Sequence, residues 1–198
     1  MKILITGFEP FGGSEINSSW EVAFRLAQQD INSADIRVEQ LPVSFSRAGE
    51  IIRNLIKVHN ADVLIMLGQR GGGKSIDLER ISINMMDASK PDNDGFCPEE
   101  QTIILNGDTA YFSNLPVRTL RDTLLQKNLP ASVSNSAGLY VCNCVYYNAL
   151  SEIYDNNLST RALFVHLPKI DEHFPVEMLV KSIYAIIEEI INKNGKIL

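Results

Sequence analysis

The stretch Asp62-Val63-Leu64-Ile65-Met66-Leu67 contains a short apolar run, Val63 to Leu67, that is followed by a glycine, Gly68. Runs of this length between turn residues are typical of strands buried in a parallel sheet. Outward from it, apolar spacing predicts a helix at 47–59, a strand at 36–41, a helix at about 18–29 and a strand at 2–6. The helix at about 18–29 is expected to be capped by Ser18 or Ser19. Alternating strands and helices predict an α/β fold with a mostly parallel, twisted sheet and helices on both faces.

The pattern changes after residue 67. Residues 68–100 are predicted to form an extended excursion, because apolar residues recur mostly at every second position between 76 and 85. Further helices are predicted at 116–126, 141–154 and 174–191, and further strands at 131–134 and 162–165. Since no repeat or linker interrupts the chain, we expect one domain over residues 1–198, a length that can bury about 70% of its unfolded surface.

Composition excludes several classes of protein. Eighteen basic and twenty-four acidic side chains give a net charge of -6, which disfavours a nucleic-acid partner. No apolar run approaches the roughly 18 residues of a membrane span, and the first residues do not resemble a signal peptide, so no membrane partner is expected. Three cysteines are too few for a secreted disulfide framework. We therefore expect a cytoplasmic protein with free thiols.

One of these thiols lies where a reactive cysteine is favoured. Cys142 is predicted in the first turn of the helix at 141–154, where unpaired N–H groups and the helix dipole stabilise a thiolate. The same N–H groups could bind an oxyanion. His166 follows the strand at 162–165 and is the candidate base. The alternative that Cys142 is only a small buried apolar side chain stays open at this point.

A third group is needed to orient the imidazole, and Glu79 in the excursion is the candidate. Other acids nearby are open alternatives, each of which could equally be a solvated loop residue: Asp77, Asp87, Asp92 and Asp94. Cys144 forms a Cys-x-Cys pair with Cys142, but too few further ligands are available to predict a metal site.

Residues 68–75 match the nucleotide-binding pattern G-x-x-x-x-G-K-S, from Gly68 to Ser75. The mechanism of that loop requires a helix to begin at the Lys-Ser pair, whereas the residues that follow Ser75 have a strand-like pattern. Nucleotide binding is thus a second function class, tested by titration with ATP and magnesium. A catalytically silent binding or assembly protein is a third.

Several motifs in one order resemble the pyroglutamyl peptidase I (pyrrolidone-carboxylate peptidase) family of cysteine peptidases. They are residues 7–13 with Asn17 and Trp20, 41–43, 67–69, Glu79-Arg80 with Ile83-Asn84, 91–95, 115–116, 134–138, 141–143 with Tyr147, and Val165-His166 with Pro168. The resemblance implies a three-layer αβα sandwich without a cofactor, assembled as a homotetramer or homodimer. It also implies that Cys142 is the nucleophile, His166 the base and Glu79 the orienting acid.

The family removes a pyroglutamyl residue from the amino terminus of peptides, so the resemblance implies such a peptide as the substrate partner. An uncharged lactam requires apolar walls and a few fixed hydrogen bonds. The expected binding residues are Phe8, Phe11, Asn17, Gln69, Ser89, Lys90 and Val141. We expect Phe8 and Phe11 to supply the walls, the Gln69 backbone to pair with the lactam amide, and Asn17 to steady its loop.

The chain departs from the family pattern around these residues. Ser89 and Lys90 stand where an arginine and an apolar residue are common, and Arg70 stands where a small neutral residue is usual. N–H groups near Cys142 and Ser89 are expected to hold the oxyanion. The change at Ser89 and Lys90 leaves open a hydrolase with the same catalytic residues that acts on another lactam or blocked amide.

Overall fold

The computed structural model describes residues 1–31 and 34–193. Their helices and strands follow in the order β1 (Lys2–Phe8), α1 (Ser18–Leu26), β2 (Asp35–Leu41), α2 (Phe45–His59), β3 (Val63–Arg70), β4 (Ile76–Glu79), β5 (Ile81–Ile83), β6 (Ala110–Phe112), α3 (Val117–Gln126), β7 (Ala131–Ser134), α4 (Val141–Asp155), β8 (Arg161–Pro168) and α5 (Val176–Asn192). Every predicted element is present. Only the short strand β6 was not predicted.

Six of the strands form the central sheet, in the order β2-β1-β3-β8-β4-β7. The pairs β1–β2, β1–β3, β3–β8 and β4–β7 are parallel, and β4 lies antiparallel to β8. The mostly parallel sheet is therefore confirmed. The excursion after β3 is not separate from it, since its first part is β4, a buried strand of the central sheet; β5 and β6 form a small antiparallel sheet beside it.

Side chains alternate between two apolar layers. Ile3, Ile5 and Val165 face a cluster that includes residues of α1, α3 and α5, whereas Leu4 and Phe164 face residues of α2 and α4. Successive side chains of a strand point to opposite faces, so one chain pattern fills both layers. The arrangement is the expected αβα sandwich. Among residues 1–31 and 34–193, no helix combines the length and apolar character that a bilayer span requires.

Helix α1 begins with a different cap from the one predicted. Asn17, rather than Ser18 or Ser19, is the N-cap, and its side-chain oxygen accepts from the backbone N–H of Ser19 at 3.0 Å. The helix also ends at Leu26, three residues before the predicted end at Gln29, because residues 27–29 form a turn. The cap residue belongs to the loop after β1, so it joins that loop to the helix.

Candidate active site

Strand β4 brings Glu79 to His166. In the antiparallel pairing of β4 with β8, Asp77 lies opposite His166 and Glu79 opposite Phe164. Because Ile76 and Leu78 pack into the α1, α3 and α5 layer, Glu79 points to the face covered by α4. Nδ1 of His166 donates to Oε1 of Glu79 at 2.7 Å, and both side chains are buried. The hydrogen bond fixes the tautomer and leaves Nε2 for another partner.

Cys142 completes this group from the first turn of α4, the turn in which the sequence predicts it. It is half-buried, and its sulfur is close enough to His166 to act on the imidazole through both charge and hydrogen bonding. No side chain caps α4 at Tyr140, and the first N–H groups of a helix have no intrahelical partners. A thiol, an imidazole and a carboxylate that are distant in sequence therefore meet in one place.

Asn143 holds the start of α4 in position. Its side chain is buried, accepts from the backbone N–H of Ile83 at 3.1 Å, and donates to the backbone oxygens of Ile83 and Met85 at 2.9 and 2.8 Å. These bonds tie the residue after Cys142 to β5 and the segment that follows it. Sequence reasoning noticed Asn143 only as part of a motif, because its partners lie 58 and 60 residues away.

Gly68 on β3 makes room for the thiol. A Cβ at this position would lie 3.0 Å from the sulfur of Cys142 and 2.8 Å from the ring of Phe164. Both distances are shorter than ordinary van der Waals contact, and the ring belongs to a packed core that resists displacement. The glycine is thus required by the close approach of α4 to the sheet.

The charge state of His166 follows from this environment. Burial disfavours the protonated ring, but the negative sulfur of Cys142, its hydrogen bond, and the bonded carboxylate of Glu79 outweigh burial and raise the pKa of His166 to about 9. The imidazole is therefore protonated near neutral pH, and it lies between the sulfur of Cys142 and the carboxyl group of Glu79. A thiolate beside an imidazolium is the reactive form of a catalytic cysteine.

A cavity of about 230 Å³ opens beside the sulfur. It is lined by Phe8, Phe11, Asn17, Val43, Gln69, Arg70, Gly71, Ala137, Tyr140, Val141, Cys142 and His166. Five of the seven residues predicted to bind substrate are in this set. Val43, Arg70, Gly71, Ala137 and Tyr140 were not predicted as binding residues. Arg70 and Gly71 lie at the end of β3, and Ala137 and Tyr140 lie in the segment before α4.

Asn17 and Gln69 are held by their own hydrogen bonds. Asn17 is buried and donates to the backbone oxygen of Glu9 at 2.9 Å, so it links the loop after β1 to α1, as expected. The side-chain oxygen of Gln69 accepts from the backbone and the hydroxyl of Ser18 at 2.9 and 3.1 Å. The side chain of Gln69 is thus engaged with α1, and the pairing of its backbone with a ligand stays a prediction.

Ser89 and Lys90 do not line this cavity. They lie in a neighbouring depression of about 630 Å³, which shares Phe11 and Tyr140 with it. Both residues are exposed. The expectation that they alter the pocket around Cys142 is therefore not supported, and neither is the alternative substrate inferred from them. A role for the Ser89 N–H in binding the oxyanion stays a prediction.

The nucleotide-binding alternative is not supported either. Residues 68–70 belong to β3, residues 71 and 72 form a turn, and β4 begins at Ile76. No helix starts at Lys74-Ser75 in this described segment, so the N–H cradle for phosphates is not built. The pattern match reflects a glycine-rich turn between two strands of one sheet.

Two of the alternative acids are not solvated. Asp77 and Asp92 are buried, and Asp92 accepts from the backbone N–H groups of Phe45, Asp94 and Phe96 at 2.8 to 3.0 Å. Asp94 pairs with Arg47 instead, whose hydrogen bond lowers the pKa of the carboxyl. Of the candidate acids, Glu79 is the one that hydrogen-bonds to His166 in the described chain.

The second cysteine of the Cys-x-Cys pair points into the core. Cys144 is buried against the backbone of Phe45, and burial raises its pKa to about 12. Within residues 1–31 and 34–193, no group of three metal-binding side chains comes together. Cys97 is exposed and donates to the backbone oxygen of Ala88 at 3.1 Å. Of the three thiols, only that of Cys142 adjoins an imidazole.

Comparisons with known proteins agree with this geometry. The family model for pyroglutamyl peptidase matches residues 1–192. The pyrrolidone-carboxylate peptidase of Thermococcus kodakarensis is 45% identical over 85% of this chain and 81% of its own length. That of Thermococcus onnurineus is 42% identical over 95% of this chain and 98% of its own length.

Solved structures extend the similarity to the fold. A mutant pyrrolidone carboxyl peptidase from Pyrococcus furiosus superposes with a TM-score of 0.93 at 34% identity, over 98% of this chain and 100% of that one. Pyroglutamyl peptidase I from Bacillus amyloliquefaciens superposes with a TM-score of 0.89 at 34% identity, over 93% and 94% of the two chains. With the family model matched from the first strand to the last helix, the chain belongs to the pyroglutamyl peptidase family.

Proposed function

We propose that this chain is a cysteine peptidase that removes a pyroglutamyl residue from the amino terminus of peptides. The observation that carries the proposal is the buried hydrogen bond of 2.7 Å between His166 and Glu79, with the Cys142 sulfur acting on the same imidazole. Family membership supports the substrate, since the similar proteins are pyrrolidone-carboxylate peptidases.

Acylation begins with the Cys142 thiolate. Its sulfur attacks the carbonyl carbon of the pyroglutamyl residue, and the carbonyl oxygen becomes an oxyanion beside the N–H groups at the start of α4. When the C–N bond breaks, the His166 imidazolium donates its proton to the departing amine nitrogen. The products of this stage are a thioester on Cys142, a free peptide with a new amino terminus, and a neutral imidazole.

Deacylation uses the same groups, but His166 now acts as the base and not as the acid. Neutral His166 removes a proton from a water molecule, the resulting hydroxide adds to the thioester carbon, and the C–S bond breaks to release pyroglutamate. The thiolate and imidazolium are restored together. Glu79 keeps the ring oriented and stabilises its positive charge through both stages. Side chains and water supply every proton and electron pair, so the proposed reaction requires no cofactor.

The cavity suits an uncharged lactam. Phe8, Phe11 and Val141 give it apolar walls, which replace water around the ring methylenes without offering a countercharge to an ammonium group. Gln69 lines the same cavity as Cys142 and His166, and its backbone supplies polar groups for the lactam amide. A free amino terminus would lose its hydration in this cavity without compensation, so a pyroglutamyl end is preferred.

Cleavage of a pyroglutamyl arylamide tests the proposal directly. We expect the parent to release the arylamine, Cys142→Ser to lose at least about 1,000-fold in kcat/KM, and a leucyl arylamide to remain intact. Cys97→Ser is the matched control, since it removes an exposed thiol outside the cavity and should keep parental activity. Parental inactivity, or full activity of Cys142→Ser, would contradict the assignment.

We further propose that the chain works as a single domain over residues 1–198, as a homotetramer or homodimer, in the cytoplasm. One sheet from Lys2 to Pro168, packed on both faces, supports a single domain. Three free cysteines are compatible with a reducing compartment. Light scattering on the purified chain measures the oligomer, and a mass equal to one chain would overturn that part.

A further inference from the structure

The cavity beside Cys142 has a buried end and an exposed end. Phe8, Asn17 and Val141 are all at most 2% exposed, whereas Arg70 and Gly71 are exposed. A lactam ring bound at the apolar end places the rest of the peptide towards solvent, because the peptide continues from the scissile bond beyond the cavity. Arg70 and Gly71 are the exposed residues of this lining, so we expect the residues that follow pyroglutamate to pass them on the way to solvent.

Arg70 is held at this rim by a buried carboxylate. Its Nη1 donates to Oδ2 of Asp77 at 3.2 Å, with the arginine side chain 52% exposed and the aspartate side chain 11% exposed. Asp77 is itself fixed by the hydroxyls of Ser75 and Ser132, which donate to its Oδ1 at 2.6 and 2.7 Å. The guanidinium is thus tethered from one side by an anchored group, while the other side is accessible.

The geometry of a guanidinium suits a second partner. Arginine carries five N–H donors in a planar fork, and in the described chain one of its nitrogens is engaged by Asp77. The remaining donors match the two oxygens of a carboxylate. Because the tether lowers the conformational entropy lost on binding, a carboxylate is bound with less cost than by a mobile side chain. The chain as a whole carries a charge of -6, so an anionic peptide needs such a local cation.

From these contacts we propose that Arg70 is a specificity residue that binds a carboxylate in the part of the substrate beyond the scissile bond. The inference rests on the proposed function. The carboxylate belongs either to an acidic side chain directly after pyroglutamate or to the free carboxyl terminus of a pyroglutamyl dipeptide. Asp77 is the positioning residue for the guanidinium.

Two matched pairs of peptides test the inference and separate the two sources. The first pair is pyroglutamyl-aspartate and pyroglutamyl-asparagine, both amidated at the carboxyl terminus, so the two differ only in the side-chain carboxylate. The second pair is pyroglutamyl-alanine with a free carboxyl terminus and the same peptide amidated there, so the two differ only in the terminal carboxylate. For each pair, the ratio of kcat/KM (charged over neutral) is measured at low ionic strength. Since Asp77 offsets part of the charge of Arg70 and the site is half in solvent, we expect Arg70→Gln to lower one ratio by about three- to tenfold.

Control variants distinguish a direct contact between Arg70 and the carboxylate from a general effect of nearby positive charge. Lys74→Gln removes an exposed positive charge from the same turn but outside the cavity, and it should leave both ratios near those of the parent. Arg70→Lys keeps the charge without the planar fork, so an intermediate ratio is expected. In the parent, 0.5 M salt should reduce the affected ratio, because exposed ion pairs are screened.

Each outcome has a distinct meaning. A fall confined to the aspartate pair assigns the side-chain carboxylate, and a fall confined to the alanine pair assigns the terminal one. Unchanged ratios in Arg70→Gln, or an equal fall in Lys74→Gln, overturn the role of Arg70 while cleavage of the neutral peptides still supports the peptidase. If the parent cleaves none of the four peptides, the proposed function fails and this inference fails with it.

Discussion

Replacement of Cys142 by serine is expected to lower the pKa of His166. In the parent, burial opposes the charged ring, yet the sulfur and Glu79 together raise the pKa from 6.5 to about 9. That net rise corresponds to roughly 3 kcal/mol, since one pH unit is worth about 1.4 kcal/mol. An opposite charge within about 4–6 Å typically moves a pKa by about one to three pH units. A neutral hydroxyl in place of the sulfur should therefore lower the value by a similar amount.

The consequence is a change in the protonation state near neutral pH. With a pKa of about 9, roughly 97% of the rings are imidazolium at pH 7.5. If the pKa falls by about two units, roughly a quarter remain charged at that pH. The serine variant therefore loses the nucleophile and also most of its protonated imidazole.

NMR titration of the imidazole nitrogens measures this directly. His166→Gln identifies the signal of His166 among those of the three histidines. The parent and Cys142→Ser are then titrated between pH 5 and about 10. A His166 signal that still titrates near pH 9 in the serine variant would refute the reasoning, because the sulfur would then have no part in holding the proton.

Further predictions concern the pH profile, packing, capping and the buried thiol. Because the raised pKa keeps the imidazole protonated up to about pH 9, kcat/KM for amide substrates should be retained below that value and fall as the pH rises through it. Gly68→Ala places a Cβ 3.0 Å from the Cys142 sulfur and should cost about 1–3 kcal/mol in a urea unfolding measurement, whereas Gly71→Ala, whose Cβ meets nothing within 4 Å, should change the unfolding free energy little. Asn17→Ala removes the cap of α1 and should lower the free energy of unfolding by about 1–2 kcal/mol, with Asn17→Ser, which can still cap, closer to the parent. Since burial raises the pKa of Cys144 to about 12, mass spectrometry after iodoacetamide treatment at pH 7.5 should find label on Cys142 and none on Cys144.

The sequence by itself determined the elements and their order. Apolar runs such as 63–67 and the helical spacing at 47–59 are local patterns, and both are present in the structure as β3 and α2. The alternation in β4 also indicates that Asp77 and Glu79 share one face. Burial requires only that a strand or helix have a suitable apolar face, so these features can be recognised without knowledge of the neighbours.

Tertiary structure decided how these elements meet. Nothing local indicates that β4 lies antiparallel to β8, yet this pairing places Glu79 within 2.7 Å of His166. Glu79 pairs with Phe164 of β8 on one side and with Ser134, the last residue of β7, on the other. The segment that follows β7 therefore begins level with the middle of β8 and not at the carboxyl end of that strand. The burial of Asp77 and the position of Lys90 outside the Cys142 cavity depend on the same packing. Strand partners are chosen by contacts between distant residues, and the pKa of His166 depends on distances of a few ångströms that only the folded chain establishes.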